Sequence, residues 1–232
     1  MATRSAFLGV LVSLSVFTSS CTPQPESASI PESASVSAPV AEPGASDPGG
    51  AVTELLAALS SADFERASQL TVDDQMLSIA VTGNVPTDAL QGVLATGGSD
   101  IGRNYWESFA NNLEGFLGVG PDQVSTGGIT EIEVAGVSFA SVQLIVPGDS
   151  IPRRLVVQQT NGWKVDVVAS FGPALAQRLG RAAEAFRVDP SAAGILESLA
   201  RQRPSLQVSL EAPGLDPETA QVIRSALVSL GG

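Results

Sequence analysis

Histidine is absent from the 232 residues and cysteine occurs once, at position 21. Without an imidazole or a second thiol, neither a Ser/His/Asp triad nor a Cys/His nucleophile can be assembled, and the commonest metal ligand is missing. A single cysteine also excludes a disulfide within the chain. Cations are scarce as well: 12 Lys and Arg stand against 24 Asp and Glu, a net charge of −12. Nucleic-acid affinity comes largely from neutralising phosphates with Lys and Arg, so no nucleic-acid partner is expected. No cofactor motif is present.

Long apolar runs are confined to the start. Arg4 precedes an apolar stretch over residues 6–17, followed by Thr18, Ser19 and Ser20 directly before Cys21. This is a signal-peptide layout over residues 1–20, too short for a comfortable membrane crossing, and no later stretch reaches the roughly 20 apolar residues that a crossing requires. Residues 21–50 then shift to Ser, Pro, Ala and Glu, with almost nothing large and apolar. They read as a disordered, extended tether.

Ser19-Ser20-Cys21 resembles the cleavage box of bacterial lipoproteins. The resemblance implies that Cys21 becomes the lipidated N-terminus and holds the protein to a membrane on its extracytoplasmic side; a lone thiol after an ordinary secretory signal is the alternative.

The remaining chain, 44% hydrophobic overall, has enough apolar content for a core. Val52, Leu55, Leu56 and Leu59 lie at helical spacing within 51–59, and Phe64, Ala67 and Leu70 do so after a cap at Ser61 or Asp63. The middle is punctuated by Gly83-Asn84, Pro86 and Gly97-Gly98, with a short strand expected over 77–82 and a helical turn over 88–94. Ile101, Tyr105, Phe109, Leu113 and Phe116 form one stripe of a helix over 100–117.

Four runs rich in Val, Ile, Leu and Phe follow, over 129–134, 137–146, 153–160 and 163–168. The connectors Ala135-Gly136, Pro147-Gly148-Asp149-Ser150 and Asn161-Gly162 make them an antiparallel meander. A two-residue turn at Asn161-Gly162 places Ile132, Val134, Val137, Phe139, Ile145, Val156, Trp163, Val165 and Val167 on one face, the expected core face. Ala140, Val142, Leu144, Leu155, Val157 and Val168 then share the other with Glu131, Glu133, Arg153, Lys164 and Asp166. A one-residue slip would exchange the faces. Because both are apolar at their centres, a second element must cover the open one, either the C-terminal helices or another copy of the chain.

The helix–helix–variable middle–long helix–meander order resembles the nuclear transport factor 2-like (cystatin-like) superfamily over residues 51–171. Residues 59–67, Leu-Ser-Ser-Ala-Asp-Phe-Glu-Arg-Ala, carry the resemblance together with Gly162-Trp163-Lys164-Val165-Asp166. It implies an α+β fold: short N-terminal helices on a curved antiparallel four-strand meander, wrapped as a cone that often holds an apolar pocket. Tyr105, Trp106, Phe109, Phe139 and Trp163 are the candidate lining. Members of that superfamily that isomerise use a Tyr and carboxylates, but no catalytic residue carries over here.

Residues 172–232 form a helical extension. Leu175, Leu179, Ala182 and Phe186 make one stripe over 173–186; Asp189-Pro190 and Asp216-Pro217 each read as a cap followed by proline at the first helical position. Residues 205–210 alternate as a strand does. Arg178, Arg181, Arg187, Arg201 and Arg203 read as solvated helix-face charges, and Asp73-Asp74 or Glu131 with Glu133 as solubilising acids in preference to a cation site.

The functional expectation is a non-catalytic, membrane-anchored lipoprotein that binds an apolar ligand or a cell-envelope protein. A small carboxylate-dependent isomerase or lyase and a purely structural envelope homodimer are the alternatives.

Overall fold

A computed structural model describes residues 44–83 and 85–231. The expected signal peptide, Cys21 and most of the expected tether lie outside them. Nine α-helices and four strands are present among the described residues: α1 Pro48–Ser60, α2 Phe64–Gln69, α3 Gln75–Thr82, α4 Thr87–Thr96, α5 Ser99–Leu117, β1 Ser125–Val134, β2 Val137–Ile145, β3 Arg153–Thr160, β4 Gly162–Val165, α6 Val167–Arg187, α7 Ala193–Ala200, α8 Arg203–Ser209 and α9 Pro217–Gly231. The fold is α+β, with N-terminal helices on an antiparallel sheet of order β1-β2-β3-β4 and a C-terminal helical extension. No helix among the described residues is long and apolar enough to cross a membrane.

The folded part begins earlier than the composition suggests. Asp47 caps α1 by accepting from the Gly50 N–H at 2.8 Å, with Pro48 at the first helical position. Ala45 is buried and pairs with Trp163 at the β4 edge, so the tether cannot run to Gly50.

The register of β4 corrects the assignment of faces. Ala135 and Gly136 both have positive φ, 53° and 77°, and Val134 pairs with Val137 across a two-residue turn. At the other hairpin Gly162 takes a φ of 93° and pairs directly with Thr160, leaving Asn161 alone at the tip. That shortens the loop by one residue and turns every β4 side chain over. Trp163 and Val165 therefore join Ala140, Val142, Leu155 and Val157, and Lys164 moves to the face of Phe139 and Val156.

The first of these faces forms the larger core. It packs under Leu55 and Leu59 of α1, with Leu70, Trp106 and Leu113 completing the cluster. Phe139 and Val156 sit on the opposite face with Ala169 and Val208, where α8 covers the centre of the sheet. The face expected to be the core is thus the smaller packed layer, and the chain's own helices cover both sides.

Two expected strands are helices. All eight residues of α3 are buried, so no polar face reveals its period. Pro204 opens α8, which drives Leu206 into a helical core and Val208 into the sheet layer. That helical core joins Leu77 and Val81 of α3 and Leu90 of α4 to Leu179, Ile195, Leu199 and Ile223 of the extension. The 172–232 segment is therefore continuous with the middle of the chain. β4 also ends sooner than expected, at Val165, because Asp166 begins α6. Helix α6 is broken at Phe171 (φ −117°, ψ 16°), two residues before Pro173, whose missing N–H and ring favour a kink there.

Candidate functional site

None of the residues proposed to line a cone pocket borders either of the two best-formed concavities among the described residues. The rings of Tyr105, Trp106 and Phe109 meet one another, and Phe109 meets Phe171, at centroid distances of 5.0 to 6.2 Å. Trp106 is fully buried, and its Nε1–H donates to Thr71 Oγ1 at 2.9 Å while that hydroxyl donates to the Ala67 carbonyl at 2.9 Å. Packing in this cluster pushes the Tyr105 phenol above its ordinary pKa by desolvation. Trp163 packs at the margin of the same core, whereas Phe139 lies across the sheet from it.

Polar groups concentrate elsewhere, where β4 runs into α6 beside the starts of α3 and α8. Asp166 is fully buried and caps α6, accepting from the Ala169 N–H at 2.7 Å on Oδ1 and from Ser205 Oγ at 2.7 Å on Oδ2. Gln75, reaching over from α3, accepts the Val167 N–H at 2.6 Å on its Oε1. Two side chains thus satisfy the donors that a helix N-terminus leaves open. Desolvation raises the Asp166 carboxyl above its ordinary range; the hydrogen bonds from the Ala169 N–H and the Ser205 hydroxyl oppose that rise. Gln75 Nε2 and Ser78 Oγ, also buried, have no hydrogen-bond partner among the described residues.

Lys164, two residues before Asp166, is only 4% exposed and donates to Asp73 at 2.9 Å. Its neighbour Asp74 accepts from Arg201 at 3.1 Å, and Arg201 also meets Glu197 at 3.6 Å. The paired acids weighed as a cation site are therefore each engaged by a side-chain cation. No cluster of three metal-ligating side chains occurs among the described residues. The arginines of the extension are also less idle than expected, since Arg178 donates to the Thr82 carbonyl and Arg187 to that of Ser229.

Above this buried cluster runs an open groove of about 730 Å³ between the Ala135-Gly136 turn and the α7–α8 corner. Val72, Val137, Pro204 and Leu227 supply apolar wall; Gln158, Gln202 and Gln207 supply amides; Asp74, Arg201 and Arg203 supply charge. No residue of the Gly-Trp-Lys-Val-Asp run lines it; Lys164 and Asp166 bear on it only through Asp73 and Ser205. The glutamines gave no signal, because they are scattered between β3 and α8.

Both Asp166 oxygens accept hydrogen bonds, Oδ1 from the Ala169 N–H and Oδ2 from the Ser205 hydroxyl. No family model matches the chain, and no curated protein or solved structure matches it.

Proposed function

We propose that this protein is a lipoprotein held to the extracytoplasmic face of a membrane by lipid on Cys21, and that its nuclear transport factor 2-like domain binds another cell-envelope protein without catalysis. One observation carries the choice of a protein over a small apolar ligand: the sheet is packed on both faces by the chain's own helices, while the two best-formed concavities among the described residues are open grooves. An apolar ligand needs an enclosed apolar volume. An open groove with free amides suits a polypeptide.

The arrangement of the chain fits an anchored role. Gly44 donates from its N–H to the Asn161 carbonyl at 2.6 Å, so the described residues start beside the Asn161 tip. From Cys21 to that point the chain spans at most roughly 80 Å when fully extended. That is enough to hold the groove clear of a membrane surface.

Replacing Cys21 with Ser tests the anchor: the protein should leave the membrane fraction, and an unchanged distribution would contradict lipidation. Chemical crosslinking in intact cells tests the binding role. A discrete crosslinked species with a second protein is expected, whereas uncrosslinked monomer or a homodimer alone would contradict it.

A further inference from the structure

Side-chain amides in a folded protein take partners from the protein, from water or from a ligand. Gln202 is 4% exposed, lines the groove, and has no side-chain hydrogen bond among the described residues. What little of it is accessible opens onto the groove. Gln158 from β3 and Gln207 from α8 line the same groove and are equally without side-chain partners among the described residues. Three primary amides, from β3, the α7–α8 corner and α8, thus line one apolar-walled channel.

Each primary amide offers two donors and an acceptor. That complement matches the repeating N–H and C=O groups of an extended main chain, as in other modes of peptide capture. A saccharide would also engage amides, but it is usually held against an aromatic face, and no aromatic residue lines this groove.

Charge narrows the occupant further. In a chain of net charge −12 the groove carries two arginines against one aspartate. Arg201 is taken by Asp74 and Glu197, but Arg203 has no carboxylate partner among the described residues, and its guanidinium lies against the backbone at Gly231, the last residue of α9. An acidic side chain in the groove would complete it.

We propose that the groove between the Ala135-Gly136 turn and the α7–α8 corner captures an extended segment of a partner protein, with Gln158, Gln202 and Gln207 pairing to its main chain and Arg203 to an acidic side chain. This rests on the protein-binding reading and names the part of the surface that performs it. Lys164 and Asp166 are positioning residues here: Asp166 holds Ser205 at the start of α8, and Lys164 holds Asp73 beside Asp74 on the rim.

The test uses the full chain, its glutamine amides isotopically labelled and followed by NMR. The probe is a blocked nonapeptide of alanine, serine and valine with one central glutamate, beside the same peptide with central lysine. The Gln158, Gln202 and Gln207 amides should shift saturably with the glutamate peptide, while Gln91, whose amide donates to the Ser191 carbonyl, stays still. Arg203→Glu should weaken the glutamate peptide about tenfold and favour the lysine peptide, because reversing a rim charge reverses complementarity. Absent or non-saturating shifts, or indifference to the central residue, would overturn the proposal. A photocrosslinker at Gln207 and one at Ile129, on the exposed outer strand, separate the two readings in cells. Capture from Gln207 that Arg203→Glu abolishes supports the groove; capture from Ile129 alone overturns the groove and leaves protein binding standing; capture from neither overturns both.

Discussion

Ser205 donates to Asp166 across 2.7 Å, joining the start of α8 to the residue that caps α6. One carboxyl thereby ties the groove wall to the end of the sheet, and it does so from a fully buried position.

Burial raises this carboxyl, so its charged form is the disfavoured one. The stability that Asp166 contributes is complete below the ordinary carboxylate range, about pH 4, and is lost as pH rises through its raised folded value. Asp166→Asn keeps an oxygen for the Ala169 N–H and cannot ionise. Urea midpoints of the native chain should fall relative to Asp166→Asn as pH rises from about 4; parallel profiles would show that burial does not penalise the charge. Asp166→Ala should cost about 1 kcal/mol or more at any pH through loss of the cap.

Lys164 and Asp73 form an unequal pair, with side chains 4% and 65% exposed. Removing the carboxylate strands a buried ammonium, whereas removing the ammonium returns the carboxylate to water. Asp73→Asn should therefore destabilise more than Lys164→Met, by on the order of 1–2 kcal/mol. Chemical denaturation of the two variants decides it, and the reverse order would contradict the burial of Lys164.

Thr71 serves Trp106 as acceptor. Thr71→Val should leave the indole N–H unpaired and cost about 1–3 kcal/mol, while Thr71→Ser should recover most of it. Thermal unfolding reads the cost. Equal stability of the Val and Ser variants would remove the hydroxyl from the account.

Gly162 holds a φ of 93°, and a Cβ there would come within 2.6 Å of the Gly44 carbonyl oxygen. Gly162→Ala should cost on the order of 1–3 kcal/mol and release the segment around Gly44 and Ala45 from the β4 edge. Limited proteolysis should then cut near Ala45 faster than in the native chain. Unchanged cleavage would mean that the edge does not hold the tether.

Much of the fold was legible because local chemistry agreed with it. Asp189-Pro190 and Asp216-Pro217 each opened helical structure where expected, and Asp47-Pro48 carried the same signal ahead of α1. Three of the four strands were set by their turns. The misassigned pieces share a cause, which is that tertiary contacts settled what a short sequence left ambiguous. Gly44 packs on Gly162 beside the last hairpin, α3 is buried on every side, and α8 is a seven-residue helix whose Leu206 and Val208 enter two different packed layers. The site was less legible than the fold. Lys164 and Asp166 stood in a noticed motif but on the wrong face, and the glutamines meet only after α8 folds over the sheet.

The most direct measurement is native mass spectrometry of the protein drawn from its own cell envelope under mild conditions, compared with the same sample unfolded. The account predicts lipid on Cys21, no small-molecule adduct, and a complex with a second protein that dissociates on unfolding. A reproducible apolar small-molecule adduct lost on unfolding, with no protein partner, would contradict it.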